Sequence, residues 1–134
     1  MGILLVAVGC ESGRERERAW EGEAAAERAA FVVLERSCLP CHHQATLPGM
    51  VDLRTRERAV ETGALAEGRL EASRLAAVVG AIAEGEVITM PPTGHALERA
   101  EVEVLQAWLA RGARWPAGGG GELRAVAGAE PRSR

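Results

Sequence analysis

The sequence has no lysine and no tyrosine, and aromatic residues are scarce in it. They make up 3% of the 134 positions, with Phe31, Trp20, Trp108 and Trp115 as the whole set. Aromatic side chains normally supply much of a protein core, each burying roughly 150–250 Å². We therefore expect something other than aromatic side chains to fill the centre of this protein.

A basic surface for nucleic acid is also missing. The net charge is −3, and the basic residues, all of them arginine, alternate with acidic residues along the chain. Proteins that follow a phosphate backbone cluster their basic residues on one face, so the charge pattern argues against a nucleic-acid partner. The apolar content of 47% and the length of 134 residues are typical of one globular domain.

The apolar run at the start, Ile3–Val8, is much shorter than the roughly 20 residues that a membrane-spanning helix needs. A short apolar run that leads into small residues is typical of a secretory signal. The segment from Ala7 to Cys10 resembles the lipobox of bacterial lipoproteins, in which the cysteine becomes the acylated first residue. We expect export and a lipid anchor at Cys10, on the periplasmic side of a bacterial membrane. A buried N-terminal strand with an incidental cysteine is the alternative.

Three or four helices and no convincing strand are predicted for the rest of the chain. Residues 11–22 alternate in charge without an apolar period and are predicted to be a solvated tether. Residues 23–116 form the predicted domain, and the glycine-rich residues 117–134 a flexible tail. Apolar spacing predicts helices at about 23–37, 73–83 and 97–111, with a short one near 55–62.

Apolar side chains mark the face of each helix that should be buried. Phe31, Val32 and Leu34 are predicted to form this face in the first helix. The corresponding residues of the later two long helices are Leu75, Val78, Val79 and Ile82, and then Leu97, Val104, Leu105, Trp108 and Leu109. Ser73 is the predicted N-terminal cap of the second, and glycines end both.

Two of the three cysteines stand in the motif CLPCHH, Cys38–His43, directly after the first predicted helix. A redox pair of the thioredoxin type would need a strand before the motif rather than a helix. Zinc would need four ligands, which His42 and His95 could complete beside the two cysteines. A plain disulfide between Cys38 and Cys41 is the simplest alternative.

The remaining use of this spacing is covalent attachment of a c-type haem. Cys38 and Cys41 would form the two thioether links, and His42 would then lie under the ring as the proximal iron ligand. A haem is large, flat and apolar, so it would also fill the space that the aromatic residues do not. Since such haems are attached outside the bacterial cytoplasm, this interpretation agrees with an exported chain, and we favour it over zinc and a disulfide.

A second axial ligand would have to come from beyond the motif. Met90 is preferred, while Met50 and His95 are alternatives, and Met90 as a gap-filling core residue is the purely structural reading. His43 is too close to His42 to reach the opposite face of the ring, since consecutive Cα atoms are about 3.8 Å apart. Methionine as the sixth ligand implies a higher reduction potential than histidine.

Taken together, these motifs resemble those of class I cytochrome c domains, in particular the type found in planctomycetes and related bacteria. The resemblance covers about residues 28–116 and rests on four stretches, Cys38–His42, LRTRE at Leu53–Glu57, Met90-Pro91-Pro92 and WLARGARWP at Trp108–Pro116. It implies a small all-α fold of three to four helices packed around one covalent haem. It also implies that the first and last helices cross near the haem edge, where we expect Phe31 and Trp108 to meet.

The expected function is that of a single-haem, membrane-anchored electron carrier with His42 and Met90 as axial ligands. Such a protein exchanges electrons with redox partner proteins and is not itself an enzyme. Two alternatives stay open. A haem sensor or catalytic haem domain would need a displaceable Met90, with His95 as the distal polar group. A zinc-stabilised adaptor would carry no haem.

Overall fold

The computed structural model describes residues 11–43, 50–86, 96–115 and 121–125. They form four helices, α1 (Glu11–Ser37), α2 (Arg56–Glu61), α3 (Arg74–Ala83) and α4 (Arg99–Ala110), with a 3₁₀ turn at Leu70–Ala72. No β-strand occurs among these residues, in agreement with the all-α prediction. The predictions for Cys10, Met90 and His95 fall outside the described residues.

Helix α1 is longer at its N-terminal end than the sequence pattern predicts. It begins at Glu11, whereas the sequence pattern predicted a helix only from about residue 23. Glu and Arg are strong helix formers, and their alternation puts opposite charges three residues apart, as in Arg14 and Glu17, which supports an exposed helix. Residues 13–18 are all exposed. That this segment spaces the domain from a membrane stays a prediction.

Helices α2 and α3 have the predicted positions because hydroxyl side chains cap their first turns. The Thr55 hydroxyl accepts a hydrogen bond from the Arg58 N–H at 3.2 Å, and the Ser73 hydroxyl accepts one from the Ala76 N–H at 3.4 Å. Such caps satisfy N–H groups that have no partner within the helix. Beyond α3, Gly85 adopts a φ of 73°, which favours glycine and ends the helix as predicted.

The aromatic side chains meet where α1 packs against α4. The ring centroids of Phe31 and Trp108 are 6.1 Å apart in an edge-to-face arrangement, which confirms their predicted contact. Trp115 joins them, with its centroid 5.7 Å from that of Phe31 and 5.2 Å from that of Trp108. An ion pair between Arg36 and Glu101 links the same two helices. These three aromatic side chains are thus gathered at one helix crossing.

The stretch WLARGARWP ends α4 and returns the chain to this aromatic cluster. Gly112 has a φ of 100°, which a side chain would disfavour. The Ala113 N–H donates to the Trp108 carbonyl oxygen at 3.0 Å, a bond typical of a glycine-terminated helix. The indole N–H of Trp108 donates to the Arg114 carbonyl oxygen at 2.9 Å. This turn brings Trp115 back against α1.

Most of the predicted core residues are at least partly buried, but one face is misjudged. In α1, Phe31 and Leu34 are buried as predicted, whereas Val33 takes the place expected for Val32, which is 58% exposed. The predicted residues of α3 and α4 are buried (Leu75, Val79, Leu105, Trp108, Leu109) or partly buried (Val78, Ile82, Leu97, Val104).

The stretch 121–125 lies against the helices. Leu123 is buried, its N–H donates to the Arg54 carbonyl oxygen at 2.7 Å, and the next N–H donates to the Glu35 carboxylate at 3.2 Å. The flexible tail at residues 117–134 stays a prediction, although this stretch contacts the rest of the domain. The apolar pattern around Leu123 is weak, so the sequence pattern could not reveal the contact.

We expect Phe31→Ala to lower the free energy of unfolding by about 3–5 kcal/mol, because it leaves a cavity in the aromatic cluster. Val32→Ala is the matched control in the same helical turn and should change it by less than about 0.5 kcal/mol, since the side chain is exposed. Urea denaturation of both variants measures the difference. Equal losses would contradict the burial assigned to α1.

Candidate functional site

The motif Cys38–His42 forms a tight turn at the end of α1. The N–H groups of Cys38 and Leu39 both donate to the Leu34 carbonyl oxygen at 2.9 Å, and the His42 N–H donates to the Cys38 carbonyl oxygen at 2.9 Å. Pro40 has no N–H and cannot continue the helical pattern, while Leu39 is fully buried and holds the turn to the core. These contacts fix the backbone of the motif between Leu34 and His42.

The side chains of Cys38, Cys41 and His42 line one cavity between the turn, α3 and α4. The space that water-sized molecules can enter is about 140 Å³, which is below the range of about 300–1,000 Å³ typical of ligand and cofactor sites. The empty space including the part open to solvent is about 810 Å³. The lining is mainly aliphatic. It consists of Ser37, Cys38, Cys41, His42, Val51, Leu53, Ala64, Arg74, Leu75, Val78, Val79, Ile82, Leu97 and Leu105.

His42 is held at two points by the segment that follows. Its Nδ1 lies 3.3 Å from the Val51 carbonyl oxygen, and its own carbonyl oxygen accepts a hydrogen bond from the Leu53 N–H at 2.9 Å. A carbonyl oxygen can only accept, so this contact assigns the proton of the neutral ring to Nδ1. Nε2 is then left with its lone pair, which is the form that binds a metal ion.

The two cysteines are not joined by a disulfide. Burial, and secondarily the charge of Cys41, raise the pKa of the Cys38 thiol to about 12. Cysteines of thiol–disulfide redox pairs have lowered pKa values because the thiolate is the reactive form. The environment of Cys38 therefore argues against a thioredoxin-type role, in agreement with the helix that precedes the motif.

His43 directly follows His42 in the sequence, but it does not line the cavity. Its Nδ1 lies 3.0 Å from the Leu39 carbonyl oxygen, within the turn itself. Met50, weighed above as a ligand, is half-buried and also does not line the cavity. Within the described part of the chain, no three His, Cys, Asp or Glu side chains converge as metal ligands. The zinc alternative thus lacks a converging set among Cys38, Cys41 and His42.

Asp52, which sequence analysis did not single out, is fully buried next to the site. Its carboxylate accepts hydrogen bonds from the Arg54 backbone N–H at 3.0 Å, Arg54 Nη2 at 2.8 Å and Arg58 Nε at 3.2 Å. Burial by itself would raise the pKa of this carboxyl group, but the hydrogen bonds from Arg54 and Arg58 outweigh it and lower the pKa to about 2. The two arginines that follow Asp52 are the sequence signal that could have pointed to this cluster.

The residues of the LRTRE stretch, Leu53–Glu57, have structural roles beside the cavity. Leu53 is buried and lines the cavity, Arg54 binds Asp52, and Thr55 caps α2. Arg56 forms an ion pair with Glu67 at 2.9 Å across the following loop. The stretch therefore builds the wall of the cavity beside His42 and does not itself supply a ligand atom.

Comparison with protein-family models, with curated proteins and with solved structures found no match. Among the described residues, no helix is both long enough and apolar enough to cross a membrane.

The lowered pKa of Asp52 predicts a component of acid denaturation. A carboxyl group whose pKa falls from 3.8 to about 2 on folding stabilises the fold above pH 3.8, and this contribution is lost as the pH falls toward 2. We expect Asp52→Asn to lower the free energy of unfolding at pH 6, and the difference from the parent to shrink between pH 4 and 2. Urea denaturation across this range measures it, with Glu67→Gln as the exposed control. A difference that stays constant down to pH 2 would contradict the assigned ionisation.

Proposed function

We propose that the protein is a single-haem c-type cytochrome that carries electrons at the periplasmic side of a bacterial membrane. The supporting observation is the position of Cys38, Cys41 and His42 on one largely aliphatic cavity. The hydrogen bond from the His42 ring to a carbonyl oxygen adds to it. The proposal joins this geometry to the motif resemblance of the sequence.

The donor set of the cavity fits a covalently attached haem. Two thiols on one cavity would supply the thioether links, and an imidazole would supply the nitrogen ligand for iron. Metal-ligating histidines usually donate their other ring N–H to a carbonyl or carboxylate oxygen, which is the arrangement of His42 and Val51. Arg74 is the one arginine that lines the described cavity, and its charge suits the carboxylate groups of a haem.

When bound, the haem would supply one-electron chemistry at its iron. The chain's own residues would keep the ligand geometry unchanged between oxidation states, since the His42 ring is bonded to the Val51 carbonyl oxygen and the His42 carbonyl oxygen to the Leu53 N–H. Aliphatic side chains from α3 and α4, such as Val79 and Leu105, would exclude water from the ring. An electron carrier requires an iron ligand that stays in place and a haem shielded from water. It does not require a pocket for a substrate.

Two parts of the proposal rest on sequence motifs outside the described residues. Met90, followed by two prolines that stiffen its backbone, is proposed as the sixth ligand, with His95 as the alternative. Cys10 is proposed as the lipid-modified residue that anchors the chain. Electrons would be exchanged with redox partner proteins, without catalysis by this chain alone.

Substitution of each of the two adjacent histidines tests which one is the proximal iron ligand. Exported in cells that attach c-type haems, the parent protein should be red and give the reduced spectrum of haem c. His42→Ala should remove most of the haem-bearing protein, because the iron loses its nitrogen ligand. His43→Ala should retain it, because His43 does not line the cavity. A colourless parent protein, or equal haem contents in the two variants, would contradict the assignment.

The oxidised spectrum tests the sixth ligand. A methionine-to-iron charge-transfer band is expected in the parent protein and in His95→Ala but not in Met90→Ala, because only the thioether sulfur produces it. Carbon monoxide should not bind the reduced parent protein at neutral pH. Absence of the band from the parent would refute methionine ligation, and carbon monoxide binding would favour the sensor or catalytic alternative.

A further inference from the structure

Residues 51–53 hold His42 from two sides. The Val51 carbonyl oxygen accepts the hydrogen bond from Nδ1 at 3.3 Å, and the Leu53 N–H donates to the His42 carbonyl oxygen at 2.9 Å. The side chains of Val51 and Leu53 also line the cavity. The orientation of the imidazole therefore depends on how firmly this short segment is fixed.

Asp52, between these two residues, is the group that fixes the segment. Its side chain is completely buried, and its carboxylate is bound by the Arg54 backbone N–H, the Arg54 guanidinium and Arg58 Nε at 2.8 to 3.2 Å. Hydrogen bonds between charged groups are roughly twice as strong as those between neutral ones. A rotation of Asp52 that moved the Val51 carbonyl group would have to break several of them.

The backbone of the segment is anchored as well. The Asp52 N–H donates to the Thr62 hydroxyl at 2.9 Å, and that hydroxyl donates to the Arg58 carbonyl oxygen at 2.6 Å. On the other side, the Leu123 N–H donates to the Arg54 carbonyl oxygen at 2.7 Å. The segment beside His42 is thus tied to the C-terminal end of α2 and to the stretch 121–125.

We propose that Asp52 is the positioning residue for the His42 ligand. Through Val51 it maintains the Nδ1–H···O=C hydrogen bond, and with it the orientation and basicity of the imidazole. This inference rests on the proposed function, since it concerns a haem ligand, and it goes beyond the Cys-x-x-Cys-His motif by naming a residue outside the cavity that acts on the ligand. Partners of this kind orient metal-bound histidines and raise their basicity.

The reduction potential should report this effect. A firm Nδ1–H bond makes the imidazole a stronger donor, which favours the ferric state, so loosening the bond should shift the potential to more positive values. Asp52→Asn should therefore raise the potential. Removing a negative charge near the iron would raise it too, so this variant alone does not separate positioning from simple electrostatics.

Arg58→Gln separates the two, because it removes a positive charge. Simple electrostatics predicts a lower potential for this variant, whereas loss of the Arg58 hydrogen bond to Asp52 loosens the segment and predicts a higher one. Glu61→Gln is the matched control: it removes the 2.6 Å contact between Arg58 and Glu61 but leaves the Arg58 contact to Asp52. Since the Arg58 side chain is 43% exposed, its loss should be tolerated even if Asp52→Asn folds poorly.

The experiment compares the exported parent protein with Asp52→Asn, Arg58→Gln and Glu61→Gln, all as purified haem proteins. Redox titration gives the potential, and proton NMR of the reduced form gives the solvent exchange rate of the His42 Nδ1–H. We expect the exchange to be faster by roughly tenfold in Asp52→Asn, less so in Arg58→Gln, and unchanged in Glu61→Gln. The potential should rise in the first two variants.

The outcomes distinguish the inference from the proposed function. If the parent protein carries haem but Arg58→Gln lowers its potential, or if exchange at Nδ1 is the same in all proteins, Asp52 does not position the ligand and the function stands. A parent protein without haem would overturn both. Faster exchange in Asp52→Asn and Arg58→Gln together with higher potentials supports the inference.

Discussion

The chemistry of the cavity depends on the hydrogen bond between His42 Nδ1 and the Val51 carbonyl oxygen. It assigns the ring proton and so leaves Nε2 with the lone pair that can bind a metal ion. The bond exists because the turn at Cys38–His42 and the segment 51–53 are each tied down by backbone hydrogen bonds. Without it the ring proton of His42 would not be fixed on Nδ1.

Two regions around this contact differ in how they are filled. The crossing of α1 and α4 is filled by Phe31, Trp108 and Trp115, which fixes the helix that delivers the turn. The other side, lined by aliphatic residues of α3 and α4, is a cavity. That a cofactor fills this cavity stays a proposal.

Sequence patterns predicted well the parts of this structure that depend on local chemistry. Ser73 and Gly85 marked the ends of α3, and apolar spacing placed Trp108 on the buried face of α4. Misjudged features depended on contacts that lie outside any periodic pattern. The charged start of α1 continues the helix because Glu and Arg are strong helix formers without an apolar period, and Leu123 docks as a single residue.

At the candidate site, too, some residues could be predicted from the sequence and others could not. The cysteines and His42 were evident from their spacing, whereas Asp52 was not, because its role arises only when Arg54 and Arg58 turn toward it. The arginines that follow Asp52 are a sequence signal for such a cluster, but the burial of the carboxylate is apparent only in the fold. The most direct test of the central claim is mass spectrometry of the exported protein after cleavage at Arg36 and Arg54. The resulting peptide, residues 37–54, contains both motif cysteines and His42. The account predicts that this peptide carries the mass of one haem, and recovery of the peptide at its bare mass would contradict it.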